Sequence, residues 1–245
     1  MQLLHCVVYY WAMPSPRAHR PAPAPAAPTP AARAAGPGRP KDLAKRAAVL
    51  EAAKRMFARH GFDRVSMDQI AAEAGVSKLT VYSHFGDKDR LFAEAVRAHC
   101  EQSMPACLFE QAADETLQAQ LQRIGEAFVA MVMAPDAIAG YRILCSPPVA
   151  GGPLVAVFWE AGPARVQAAF AALLERRRAR GELPALEDAA AAAGQFFALL
   201  RGEPHLRAVL GCSDPTACEQ ARQRHVAGVV ALFLRAYGGG PPPPR

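Results

Sequence analysis

Between Ser66 and Lys88 the chain collects hydrogen-bond donors and cations at helical spacing, in the order SMDQIAAEAGVSKLTVYSHFGDK. Ser66 followed by Gln69 matches a capping box, so a helix is expected to start there. Ile70, Ala71 and Ala74 give that helix one small apolar face. Gly75 suits the left-handed backbone that closes a helix, and Ser77 can cap a second helix after a two-residue break. Val81 and Phe85 then point inward at i and i+4, while Lys78, Thr80, Tyr82, Ser83 and His84 turn to other faces. Two short helices across a Gly-containing turn, the second rich in donors, form the helix-turn-helix pattern. Such a second helix enters the DNA major groove and sets its N-terminal residues against base edges. A plain helical hairpin inside a core is the competing reading. The second helix is too short and too polar for it.

The elements around this stretch read as helices throughout. Apolar residues make up 51% of the 245 positions, alanine is abundant and β-branched runs are few, which favours an all-α protein. Leu43 to His60 is a helix with Val49, Ala53, Met56 and Phe57 inward, stopped by Gly61. Asp87 caps a helix that runs to about Gln102 and would bridge two domains. Beyond Pro105 come expected helices over 115–133, 137–145, 154–180 (kinked or restarted at Pro163), 187–200 and 215–237. The expected organisation is a Pro/Ala-rich disordered extension over 1–37, a three-helix helix-turn-helix domain over 38–86, a helical-bundle domain over 87–237 and a disordered tail over 238–245. Residues 1–12 are apolar but too short to span a bilayer, and they make a poor signal peptide; Met13 is an alternative start.

Charge follows the same division. Residues 1–36 carry three Arg and no acid, residues 37–90 carry eleven Lys/Arg against seven acids, and residues 91–245 carry fourteen Arg against fifteen acids. The net charge of +6 therefore lies in the N-terminal third, as expected of a phosphate-binding domain on a near-neutral body. The six cysteines, at 6, 100, 107, 145, 212 and 218, form no C-x-x-C pair and have no His at zinc spacing. They read as reduced, mostly buried thiols of a cytoplasmic protein, with Cys100/Cys107 or Cys212/Cys218 as the pairs a redox sensor would use. No metal or other cofactor is expected. The sequence has no G-x-S-x-G, P-loop, H-E-x-x-H or G-x-G-x-x-G motif, and Glu160 with His205 is a carboxylate–His pair without a nucleophile, so an enzyme is not expected.

Gly38 to Gln102 resembles the N-terminal domain of TetR/AcrR-family transcriptional regulators. The resemblance is carried by GRPK at 38–41, by VLEAAKRMFARHGFDRVSMDQIAAEAGVSK from Val49 and by TVYSHFGDKDRLF from Thr80. More loosely, YRILC at 141–145, FWEAGP at 158–163 and QFFALLRGEPHLRAVLG at 195–211 are similar to C-terminal domains of the AefR-like branch. The resemblance implies a homodimeric repressor, released from a near-palindromic double-stranded DNA operator by a small apolar or amphipathic effector. An activator or thiol-based redox regulator on the same fold is the alternative. A small-molecule-binding protein or enzyme without DNA binding is the remaining one.

Carried onto matching positions, the resemblance implies DNA contacts from Arg39 and Lys41 in the arm, and from Ser66, Ser77, Lys78, Thr80, Tyr82, His84 and Lys88. Ser83 departs from the second Tyr that many relatives have there. Phe128, Met131, Tyr141, Cys145, Phe158, Trp159, Phe170, Phe197 and His205 are the implied ligand-pocket residues, with Glu160 and Arg201 as further polar groups. Phe196, Leu199, Val226, Val229, Val230 and Phe233 are the implied dimer contacts.

Overall fold

The computed structural model describes residues 42–110, 115–212 and 219–238. The expectations placed on Arg39, Lys41, Cys6, Cys218 and both termini fall outside them. The described residues belong to one compact unit and contain only helices: α1 (Leu43–His60), α2 (Met67–Glu73), α3 (Lys78–Phe85), α4 (Lys88–Ser103), a 3-10 turn (Ala106–Leu108), α5 (Leu117–Met133), α6 (Pro135–Leu144), α7 (Pro153–Ala161), α8 (Pro163–Ala179), α9 (Ala189–Leu210) and α10 (Glu219–Tyr237). No single described helix is long and apolar enough to cross a membrane.

Local chemistry sets most of these boundaries. Asp42, Ser66, Ser77, Asp87, Thr116 and Asp188 each accept a hydrogen bond from the first turn of the helix they cap. Pro135, Pro153 and Pro163 open α6, α7 and α8, where the missing N–H leaves no bond unmade. Pro163 therefore restarts the chain as a new helix, and the long segment expected over 154–180 is two helices. Gly162 fills the break between them. A Cβ there would lie 2.9 Å from Val96 Cγ1 and 3.1 Å from Cys100 Sγ, so glycine lets this corner press against α4.

The helix expected to end at Leu200 continues to Leu210. Its axis is broken at Gly202, whose φ of 47° and ψ of −158° are open only to glycine. Pro204, two residues on, has no N–H to give the Leu200 carbonyl. His225 of α10 supplies that donor from Nε2, at 2.9 Å.

Two apolar clusters fill the interior. One joins α1 to α4 through Val49, Ala53, Phe57, Ile70, Val81, Phe85, Leu91 and Phe92. The other lies among α5, α8, α9 and α10, where Phe170 sits 4.9 Å from Phe196, and Phe196 sits 5.1 Å from Phe233, ring centre to ring centre. This second cluster corrects the dimer assignment. Phe196, Val226, Val229, Val230 and Phe233 are buried inside the protomer and are not available to a second copy. Leu199 alone of the six faces outward, at 41% exposure, beside Ala198 on α9; Ala231 and Leu232 are exposed on α10. Helical periodicity marks an apolar stripe but not which of two stripes turns inward.

Candidate nucleic-acid interface and ligand cavity

The capping box of α2 is complete: Gln69 N donates to Ser66 Oγ at 3.2 Å, and Ser66 N donates to Gln69 Oε1 at 2.8 Å. Gly75, with φ of 64°, makes the turn, and Val76 N returns to the Ala71 carbonyl at 3.0 Å. Ser77 Oγ accepts from Thr80 N at 3.2 Å and lies 2.8 Å from Thr80 Oγ1. These bonds fix the first turn of α3, the part of a reading helix that meets base edges. Val81 and Phe85 are buried beneath it.

The outer face of α3 carries Lys78, Leu79, Tyr82 and Ser83, all exposed. Lys78 Nζ pairs with Asp68 Oδ2 at 2.9 Å, and that carboxylate holds the ammonium above its ordinary pKa. Lys78 also lies 5.8 Å from the centre of the Tyr82 ring. Leu79 is 79% exposed and was not singled out by sequence reasoning. A large apolar side chain held in water on this face suits contact with a thymine methyl. Ser83 Oγ donates to the Thr80 carbonyl at 2.9 Å. His84 is half-buried, 6.0 Å from the Phe85 ring, and its Nδ1 has no hydrogen-bond partner among the described residues.

Lys88 is placed differently from the rest. Its Nζ donates to the carbonyls of Phe62 and Val65, at 3.0 and 3.2 Å, and sits 4.1 Å from the Phe62 ring centre. The side chain thus ties the loop after α1 to the start of α4. Lys88→Met is expected to lower stability by about 1–2 kcal/mol through these lost bonds. The salt dependence of DNA binding should keep its slope, whereas losing a phosphate contact lowers the slope by about one per site. Binding isotherms over a salt series distinguish the two.

A cavity of about 360 Å³ lies between α1 and α4 on one side and α5 to α9 on the other. Phe128, Met131, Tyr141, Phe158 and Phe197 line it. The other four residues assigned to it do not. Phe170 is fully buried behind Phe197, Trp159 is on the outer face of α7, Cys145 is exposed after α6, and His205 is packed edge-on to Tyr141 at 5.1 Å. Glu160 is exposed on α7. Sequence reasoning missed the opposite wall, formed by Phe57 and Phe62 near α1 and by Phe92, Ala95, Val96, His99 and Cys100 of α4. The inward stripes of α1 and α4 were visible in the sequence, but not that they are shared between a core and a cavity.

Both halves of this arrangement have counterparts. Residues 49–95 match the family model for bacterial regulatory proteins of the tetR family, and residues 119–239 match that for the C-terminal domain of AefR-like transcriptional repressors. The structure of the flavonoid-responsive regulator FrrA is 31% identical, covers 82% of this chain and 100% of its own, and superposes with a TM-score of 0.63. The chain belongs to the TetR family.

A TetR-family regulator from Pseudomonas syringae pv. tomato shares 26% identity over 80% of this chain and 98% of its own, with a TM-score of 0.55. Among curated relatives, the transcriptional repressor SCO4008 of Streptomyces coelicolor is 43% identical over 53 residues, 22% of this chain and 28% of its own length. The repressor AcnR of Corynebacterium efficiens is 35% identical over 57 residues, 23% of this chain and 30% of its own length. The chain thus matches less than a third of the length of these two proteins. In this TetR-family chain Cys100, on the cavity wall, has its thiol pKa pushed up to about 11, chiefly by burial. A thiol in that range is protonated at neutral pH and a weak nucleophile. Burial likewise lowers the pKa of His99, with Lys54 adding to the effect, so its neutral form is favoured.

Proposed function

We propose that the protein is a homodimeric transcriptional repressor that leaves a near-palindromic operator when a small amphipathic effector fills the cavity. The observation that carries this reading is the shared wall. Phe57, Phe92 and Ala95 belong to the apolar core that seats α3, and the same residues line the cavity. A ligand there touches the framework of the DNA-reading unit directly. The effector needs to bind better to the conformation that cannot hold the operator, since equal affinity for both would shift nothing.

In this reading Lys78, Leu79, Thr80 and Tyr82 meet the major groove. Ser66, Ser77 and His84, together with Arg39 and Lys41, neutralise or bond the flanking phosphates. The outward faces of α9 and α10, with Ala198, Leu199, Ala231 and Leu232, join the two protomers and set two reading helices about one helical turn of DNA apart. FrrA, by its name, responds to flavonoids, and SCO4008 is named a repressor; both support an effector-controlled repressor here.

The test is selection of a bound sequence from random duplex DNA, followed by titration with and without cavity ligands. A near-palindrome should emerge. Tyr82→Ala should weaken its binding about 10- to 100-fold, roughly 1–3 kcal/mol for a lost recognition contact. Tyr82 is 42% exposed, so helical content should be unchanged. Failure to select any sequence would overturn the DNA reading. A compound that fills the cavity without altering operator affinity would overturn the release mechanism for that compound's class.

A further inference from the structure

Arg201 is the last residue of α9 before its axis breaks. The break is locked from outside by the His225 bond to Leu200, and a Cβ at Gly202 would approach His225 Cε1 to 3.1 Å. The direction of Arg201 is therefore set by the fold. Its side chain lines the cavity, with the guanidinium carbon 5.8 Å from the centre of the Phe128 ring. Its Nε is buried and has no hydrogen-bond partner among the described residues.

The other two cations of the cavity wall are already compensated. Lys54 pairs with Glu51 at 2.5 Å, and Arg55 pairs with Glu73 at 2.9 Å. Among the described residues, no carboxylate forms an ion pair with Arg201. The one other wall carboxylate, Asp136, is exposed in the first turn of α6. His205 does not complete Arg201 either: burial first, and then the Arg201 charge, hold its pKa below the ordinary value. Phe128, beside the guanidinium, and Met131, Phe158 and Phe197 make much of the cavity wall apolar. Arg201 is partly buried, and for a guanidinium without a counter-charge a carboxylate is the best geometric match because two parallel N–H···O bonds can form.

We propose that the cavity takes an amphipathic organic carboxylate, its apolar body among the aromatic rings and its anion on Arg201. The proposal rests on the effector reading above and names the class of effector.

The experiment is calorimetric titration of the full chain with two matched sets of probes: decanoate, decanol and decylamine for a linear body, and naphthoate, naphthalenemethanol and naphthylmethylamine for an aromatic one. At least one acid should bind at least about tenfold more tightly than its alcohol and its amine, the gain of one charge-assisted pair. In Arg201→Gln that preference should vanish while the alcohol binds as before. Arg201→Lys, which keeps the charge and loses the fork, should retain a reduced preference in the same direction. Circular dichroism and melting are read on both variants, and the lysine variant decides if the glutamine one misfolds. Equal binding of acid and alcohol, an undiminished preference in Arg201→Gln, or binding of none of the six probes would overturn the proposal. Operator release is measured separately. Acid binding without release sinks the effector reading and leaves the anion site. Release by an alcohol or amine alone does the reverse.

Discussion

Arg177→Met is expected to cost about 3–5 kcal/mol of folding stability, the range for removing one partner from a buried charged network. Arg177 is 2% exposed on α8 and joins three segments. Its Nε and Nη2 donate to Gln120 Oε1 of α5 at 3.1 and 2.7 Å, and its Nη1 donates to both carboxylate oxygens of Glu182, at 3.0 and 2.9 Å. Nη2 also reaches the Glu115 carbonyl at 3.2 Å. Gln120, itself fully buried, passes the network on by donating to the carbonyls of Leu108 and Glu110, at 3.3 and 2.9 Å. Methionine fills the volume but leaves Gln120 Oε1 without a donor. The Glu182 side chain is about one-third exposed and can rehydrate, which places the effect toward the lower end of the range. Urea denaturation measures it. Adding Gln120→Leu to Arg177→Met should recover little of the loss, because it removes the orphaned amide oxygen but takes the donor from the Leu108 and Glu110 carbonyls. If the single variant is as stable as the parent, the network adds nothing net to stability.

Phe85→Ala is expected to cost about 3 kcal/mol and to weaken operator binding by at least 100-fold. Helix α3 has eight residues and buries only Val81 and Phe85. A helix this short does not persist on its own propensity, so its position depends on those two anchors. Phe85 also seats the guanidinium of Arg46, 5.3 Å from its ring centre, and so joins α3 to α1. Because Phe85 does not line the cavity, binding of a cavity ligand should survive. Hydrogen exchange across 78–85 should accelerate while exchange in α5 and α8 does not. Retained operator affinity would mean that α3 is not the reading helix.

The sequence was most legible where neighbours within a few residues decide the structure. The capping box at Ser66, the turn at Gly75, the cap at Ser77 and the stop at Gly61 depend on local hydrogen bonds and backbone sterics, and α1 spans the expected residues. The inward placement of Val81 and Phe85 follows from spacing alone. Where a distant residue decides, the reading was incomplete. Continuation of α9 past Gly202 and Pro204 depends on His225, more than twenty positions away and on another helix. The family resemblance implies a DNA contact at Lys88, while its neighbours in space are two carbonyls and a ring. On α9 and α10 the spacing does not tell the buried stripe from the outer one, because both helices also carry apolar residues outside, among them Leu199 and Leu232.

The double service of Phe57, Phe92 and Ala95 bears on how such a chain can be rebuilt. Exchanging residues 42–86 for those of another regulator, to redirect it to a new promoter, also replaces Phe57 and Phe62 on the cavity wall. Under the effector release proposed above, a chimera made this way would acquire a new chemical sense along with a new address. Grafting α3 and its turn alone, residues 75–86, changes the address and leaves every cavity-lining side chain in place.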